Sequence, residues 1–173
     1  IDRKSDSMKI SKIEPQKNKN RVYIYVDNKF AIGIDMEIMY KYKLEIDMDV
    51  DDDFISDILV AEEKNNAINY ALKLLSYRAR SEKEVYTALK RKGFEEDIIE
   101  YSINYCKDLD YLDDRKFAES YIRDKINLSK LGTERIRYEL KLKGVSEDII
   151  NRELRVNKDE QFQSAMELGE KRL

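Results

Sequence analysis

The sequence predicts a mainly α protein: tandem three-helix repeats in an elongated array, preceded by a small N-terminal β-containing region. Three observations carry that expectation. The segment Ala67–Asn104 recurs without a gap as Ala118–Arg155, at an offset of 51 residues. From Phe54 onward the apolar residues return every three to four positions, the period of a helix packed on one side. Ahead of Phe54, Arg21–Val26 (RVYIYV) is the strongest strand pattern in the chain. With 5 Gly and 1 Pro in 173 residues, few segments can be linkers.

Residues 1–8 (IDRKSDSM) lack periodicity and are expected to be a tail, disordered or vector-derived, with Met8 as the natural start. Arg3 and Lys4 are given no function. Residues 9–60 form the N-terminal β-hairpin and short-helix region. Lys9–Ile13 alternates polar and apolar, Pro15 interrupts it, and residues 15–20 make a polar turn. In the next strand Val22, Ile24 and Val26 share one face, Tyr23 and Tyr25 the other. Asp27-Asn28-Lys29 is a hairpin turn, because Asp and Asn tolerate left-handed backbone. Phe30–Ile34 returns, and Asp35 caps a short helix through Lys41 or Tyr42. Residues 45–57 then hold seven acids (Glu45, Asp47, Asp49, Asp51, Asp52, Asp53, Asp57) and no base. The run lacks the glycine and terminal glutamate of a calcium loop. It reads as a solvated, hinge-like connector with aspartates near a helix N-terminus, a partner-facing acidic patch being the alternative.

The first repeat spans residues 61–112, the second 113–157, and 158–173 resembles the first helix of an incomplete third. In register, Ala67 falls on Ala118, Tyr70 on Tyr121, Val85 on Ile136, Leu89 on Leu140, and Lys92-Gly93-Phe94 on Lys143-Gly144-Val145. Glu96-Asp97-Ile98-Ile99 falls on Glu147-Asp148-Ile149-Ile150. A tandem duplication follows. The helices are expected at 64–78, 82–92 and 96–109, then 114–127, 133–143 and 147–157. Ser81 with Glu84 is a capping box. Gly93 and Gly144 stand where a helix must stop in left-handed backbone, each followed by an apolar residue. Ser146 caps the next helix, as does Asp113 or Asp114 in the DLDYLDD spacer, where capping and solvation explain the acids better than a metal site does.

Composition excludes whole classes of function. There are no His and no Trp, and one cysteine, Cys106. Ser–His–Asp and Cys–His catalysis cannot be built from this chain, nor can an internal disulfide. No Walker-type loop or credible metal cluster is present, so no enzyme, cofactor or metal is expected. The longest apolar run, Val22–Val26, falls far short of the roughly 18 residues of a spanning helix. Net charge is −3, from 33 Lys+Arg and 36 Asp+Glu, but it is unevenly spread. From Ser76 to Gly93 six bases face two acids, and from Arg123 to Lys143 seven face three. Each basic cluster surrounds the second helix of its repeat. Charge alone leaves three readings open: solvated surface, an acidic protein partner, or nucleic-acid phosphate. The third helices begin with acids, which argues against their reading DNA bases in a helix-turn-helix manner.

Ala71–Gly93 (ALKLLSYRARSEKEVYTALKRKG) followed by Phe94 resembles the first repeat of the bacterial regulatory protein RecX family. Tyr111-Leu112-Asp113-Asp114 with Lys116-Phe117-Ala118 and Tyr121 is similar to that family's junction between repeats. Lys130-Leu-Gly132, Arg135-Ile136, Leu140 and Lys143-Gly144 resemble its second repeat, and KISKIEP with RVYIYVDNKFAIGI resembles low-GC Gram-positive members. The resemblance implies a curved array and a non-catalytic, cytoplasmic, monomeric modulator of the RecA recombinase. Such a protein binds the RecA filament on single-stranded DNA, restrains strand exchange, ATP hydrolysis and coprotease action, and belongs to recombinational repair and the SOS response. Direct DNA contact is a further expectation, and an independent DNA-binding helical-repeat protein acting without RecA is the alternative. Carried onto this chain, one contact patch comprises Arg78, Arg80, Lys90, Arg91 and Lys92. The next comprises Arg123, Lys130, Arg135, Arg137, Lys141 and Lys143.

Overall fold

The computed structural model describes residues 7–172. Of the expected tail at residues 1–8, residues 1–6 lie outside them, while Met8 belongs to the fold and opens the first strand. The chain divides at Asn66–Ala67 into two compact units.

The first unit is a four-stranded antiparallel sheet of order β3-β2-β1-β4, made of β1 (Met8–Pro15), β2 (Arg21–Val26), β3 (Phe30–Asp35) and β4 (Asp49–Val50). Alternation sends Val22, Ile24 and Val26 into a core with Ile10, Ile34, Ile38, Leu44, Val50 and Ile58. Asp27 and Asn28 take φ of 49° and 54° in the hairpin turn. Asp35 caps helix α1 (Met36–Lys41) by accepting from the Glu37 N–H at 2.8 Å. Helix α2 (Asp52–Tyr77) starts behind Asp51, whose carboxylate accepts from the Phe54 N–H at 2.8 Å. Buried Glu62 on α2 binds the Arg21 guanidinium at 2.7 Å and the Asp35 N–H at 2.9 Å, tying helix to sheet.

Two expectations change here. The acidic connector is pinned rather than hinged: β4 pairs with Met8 and Lys9, and Asp47 and Met48 exchange backbone hydrogen bonds with Ile10. A strand this short, with acids on both sides, gives no periodicity to read. Helix α2 also runs unbroken for 26 residues instead of restarting near residue 64, because nothing between Asp52 and Tyr77 breaks a helix.

The second unit holds two three-helix modules. The first consists of α2 from Ala67, α3 (Glu82–Lys92) and α4 (Glu96–Asp108). The second consists of α5 (Asp114–Leu128), α6 (Thr133–Leu142) and α7 (Glu147–Glu170). The duplicated positions are the buried ones: Ala67 and Ala118, Ala71 and Ile122, Val85 and Ile136, Leu89 and Leu140, Ile99 and Ile150 are all sealed from solvent. The chain reverses at Gly93 and Gly144 with φ of 101° and 79°. The Phe94 N–H then reaches the Leu89 carbonyl at 3.3 Å, and the Val145 N–H the Leu140 carbonyl at 3.1 Å, as in a Schellman motif. Ser81 and Glu84 form the capping box, Asp113 caps α5, and Ser146 caps α7. Helix α7 does not stop at Asn157 but continues to Glu170, with Phe162, Met166 and Leu168 exposed. No breaker interrupts it before Gly169. Among the described residues no helix is long and apolar enough to cross a membrane.

Candidate functional site: a basic cleft between the helical modules

The modules meet through the ends of their second helices. The Ser81 hydroxyl, at the N-terminus of α3, donates to the Lys143 carbonyl at 2.6 Å, just past the C-terminus of α6. The Lys83 ammonium reaches the Leu142 carbonyl at 3.3 Å. The positive end of one helix dipole therefore faces the negative end of another. Asp114 on α5 accepts from the Glu82 N–H at 2.8 Å, although burial pushes its carboxyl above the usual range. Gly144 lies flat against Lys83: a Cβ there would stand 2.6 Å from both Lys83 Cβ and Cδ.

Beside this joint opens a cleft of about 590 Å³. Arg78, Arg80, Lys83 and Arg91 line it from the first module, and Lys125 and Lys143 from the second, against the two carboxylates Glu84 and Glu139. Both carboxylates are committed. Glu84 takes Arg78 at 3.2 Å, Lys143 at 3.0 Å and the Ser81 N–H at 3.0 Å. Partial burial pushes Glu84 up, but these three donors outweigh it and hold its pKa at about 2. Glu139 accepts from the Tyr121 hydroxyl and from Arg135 at 3.2 Å. Burial, and then that carboxylate, push Tyr121 up to about 12, so it remains a donor. Lys125 and Lys143 stand 5.2 Å and 5.7 Å from the Tyr121 ring centre. Exposed Arg91 forms no ion pair or hydrogen bond among the described residues. The cleft thus offers six cations against two carboxylates, and an anionic phosphate or carboxylate is the kind of group that such cations bind by charge-assisted hydrogen bonds.

Of the residues singled out from sequence, the fold brings Arg78, Arg80, Arg91 and Lys143 into this cleft. The others go elsewhere. Lys90 pairs with Glu96 at 3.2 Å and its counterpart Lys141 with Glu147 at 3.0 Å, the same bridge across each glycine turn. Lys92 sits 5.5 Å from the Tyr70 ring centre. Arg135 pairs with Glu139, and Arg137 with Glu134 at 3.7 Å and with Asn151. Arg123 bonds Ser120 at 3.5 Å beside α7, and Lys130 holds a left-handed turn with φ of 50°. Sequence reasoning missed Lys83 and Lys125 as site residues. Their helices gave no hint that they converge, since the two lie on different modules. The paired Lys90 and Lys141 were legible: a Lys six residues before a Glu, across a helix-ending glycine, occurs in both repeats. Among the described residues no group of three or more His, Cys, Asp or Glu is poised to hold a metal ion.

Comparison with known proteins places these elements. Residues 8–51 match the regulatory protein RecX N-terminal domain, residues 67–106 the first three-helix domain of RecX, and residues 113–154 the second. A crystal structure of regulatory protein RecX superposes with a TM-score of 0.73 at 33% identity, covering 85% of this chain and 72% of that one. The chain belongs to the RecX family. RecX from Lactobacillus salivarius superposes with a TM-score of 0.56 at 36% identity, covering 64% of this chain and 73% of that one. The regulatory protein RecX of Clostridium perfringens (strain SM101 / Type A) is 39% identical over 119 residues, 68% of this chain and 55% of the relative. That of Geobacillus sp. (strain WCH70) is 40% identical over 115 residues, 66% and 42%. The chain spans about half the length of the curated relatives it matches. The RecX three-helix domains coincide with the two modules that flank the cleft, so the basic groups belong to the repeated part of the fold.

Proposed function

We propose that this RecX-family chain is a non-catalytic, cytoplasmic modulator that binds the RecA filament on single-stranded DNA and restrains its recombinase, ATPase and coprotease activities. It acts as a monomer, without a cofactor, in recombinational repair and the SOS response. One observation supports this beyond the family: the modules join so that cations from both converge on one cleft, with the local acids already engaged. A filament presents repeated anionic surface. Successive modules on one chain add weak contacts through effective concentration, so the filament is bound more tightly than a single RecA subunit. In this reading Arg78, Arg80, Arg91 and Lys143, joined by Lys83 and Lys125, carry the contact. Lys90, Lys92, Arg123, Lys130, Arg135, Arg137 and Lys141 shape the surrounding field. Residues 158–170, the C-terminal half of α7, would supply the first-helix segment of a third repeat.

The test is a titration of RecA ATPase on single-stranded DNA. Inhibition at substoichiometric protein is expected, with Lys83→Glu/Arg91→Glu needing at least roughly tenfold more protein and Lys90→Ala/Lys141→Ala, which only weakens the surrounding field, staying within about twofold of wild type. Equal potency of all three would sink the cleft as the contact.

A second reading rests on the same cleft: its charge suits a phosphodiester whether or not RecA is present. It predicts anisotropy-detected binding to DNA alone that weakens steeply as salt rises.

A further inference from the structure

We propose that the outer face of the N-terminal sheet is a separate binding surface for single-stranded nucleic acid, in which Tyr23 and Tyr25 stack on bases and surrounding lysines meet phosphates. This inference stands without the RecA reading.

The face is built by alternation. Val22, Ile24 and Val26 are committed to the core, so Tyr23 and Tyr25 must point away from it, and Tyr23 is 42% exposed. Their ring centres lie 6.5 Å apart. The residues opposite them on β3 are small: Gly33 faces Tyr23 and Ala31 faces Tyr25. The edge strand β3 therefore places no bulky side chain directly opposite either ring. On the other flank Lys12 pairs with Tyr25 across the strands and puts its ammonium 5.6 Å from that ring. Two rings on alternate residues of one strand make a shelf, and aromatic shelves bind single strands because every base has a stacking face.

Charge favours the same occupant. Residues 9–30 hold six bases and two acids, a third basic cluster that the two repeat clusters overshadow in the sequence. Both acids are engaged: Glu14 is held by Lys12 at 2.6 Å, and Asp27 accepts the Lys9 backbone N–H at 2.9 Å. Arg21 is turned inward to Glu62. Lys17, Lys19 and Lys29 are exposed in the turns at the two ends of β2, so the shelf has cations at either end. An acidic peptide would satisfy the lysines but leave the exposed Tyr23 ring without a partner; half-buried Tyr25, its hydroxyl bonded to Glu14, forms the inner end of the shelf.

The test uses the full chain without RecA, a fluorescein-labelled oligothymidylate, and a Lys83→Glu/Arg91→Glu background that silences the cleft. Binding is expected to persist in that background and to fall about tenfold for each ring removed in Tyr23→Ala and Tyr25→Ala. Tyr23→Phe/Tyr25→Phe should keep it. Ring proton resonances of Tyr23 and Tyr25 should shift on titration of wild type, which guards against misfolded variants. Loss of all binding in the cleft background, or ring resonances that move with an acidic peptide and not with the oligonucleotide, would overturn the proposal. Neither result bears on RecA inhibition by the modules.

Discussion

The two modules end their second helices with the same glycine, yet those glycines face different demands. Gly93 has no atom within 4 Å of where a Cβ would go, whereas Gly144 is pressed on Lys83 of the preceding module. Both need left-handed backbone, so sequence comparison alone rates them equal. Their second helices also begin differently. Ser81 caps α3 and reaches across to Lys143, while the equivalent Gly132 opens α6 with no side-chain cap. The difference teaches that a duplicated signal first fixes each module and is then reused, at one copy only, to lock the modules together.

The largest effect should separate the glycines. Gly93→Ala is expected to cost about 1 kcal/mol, from left-handed strain alone. Gly144→Ala should cost about 3 kcal/mol, because the new methyl also displaces Lys83. Chemical denaturation of both variants measures this, and equal losses would break the comparison. Next comes the cap. Ser81→Ala removes a helix cap and strands the Lys143 carbonyl, for about 2 kcal/mol, whereas Gly132→Ser should change stability by only a few tenths of a kcal/mol.

A smaller contribution sets the acid side of the stability curve. Glu84 is held at about 2, below its ordinary value of 4.5, so its share of stability is present above about 4.5 and is lost as pH falls through about 2. Solvent screening at this partly exposed site trims that share to about 1 kcal/mol. Lys143→Met should flatten part of the slope in an acid titration followed by circular dichroism. Smallest of all are the repeated bridges Lys90–Glu96 and Lys141–Glu147: replacing either lysine by Ala should leave the melting temperature unchanged within error.

Much of the fold was legible because it rests on local rules. The RVYIYV alternation, the Asp35 and Ser81 caps and the two glycine stops each announce themselves within a few residues. The two-residue strand Asp49–Val50 did not, since only its pairing with β1 defines it. The continuity of α2 and α7 was hidden by reading repeat boundaries as helix boundaries. The cleft was half legible. A lysine's charge shows in the sequence, but its partner does not: Lys141 and Lys143 are two residues apart, and one answers Glu147 in its own module while the other crosses to Glu84.

The passage from one compact unit to the other falls at Asn66–Ala67, in the body of α2. A protease hunting for slack chain finds none there, because the amides on both sides are tied one turn back along the same rod. A shortened gene begun at Ala67 would open on four bare amides with no side chain to receive them. Anyone dissecting this polypeptide should therefore retain the start of that rod, with Asp51 in place, even when only the modules are wanted.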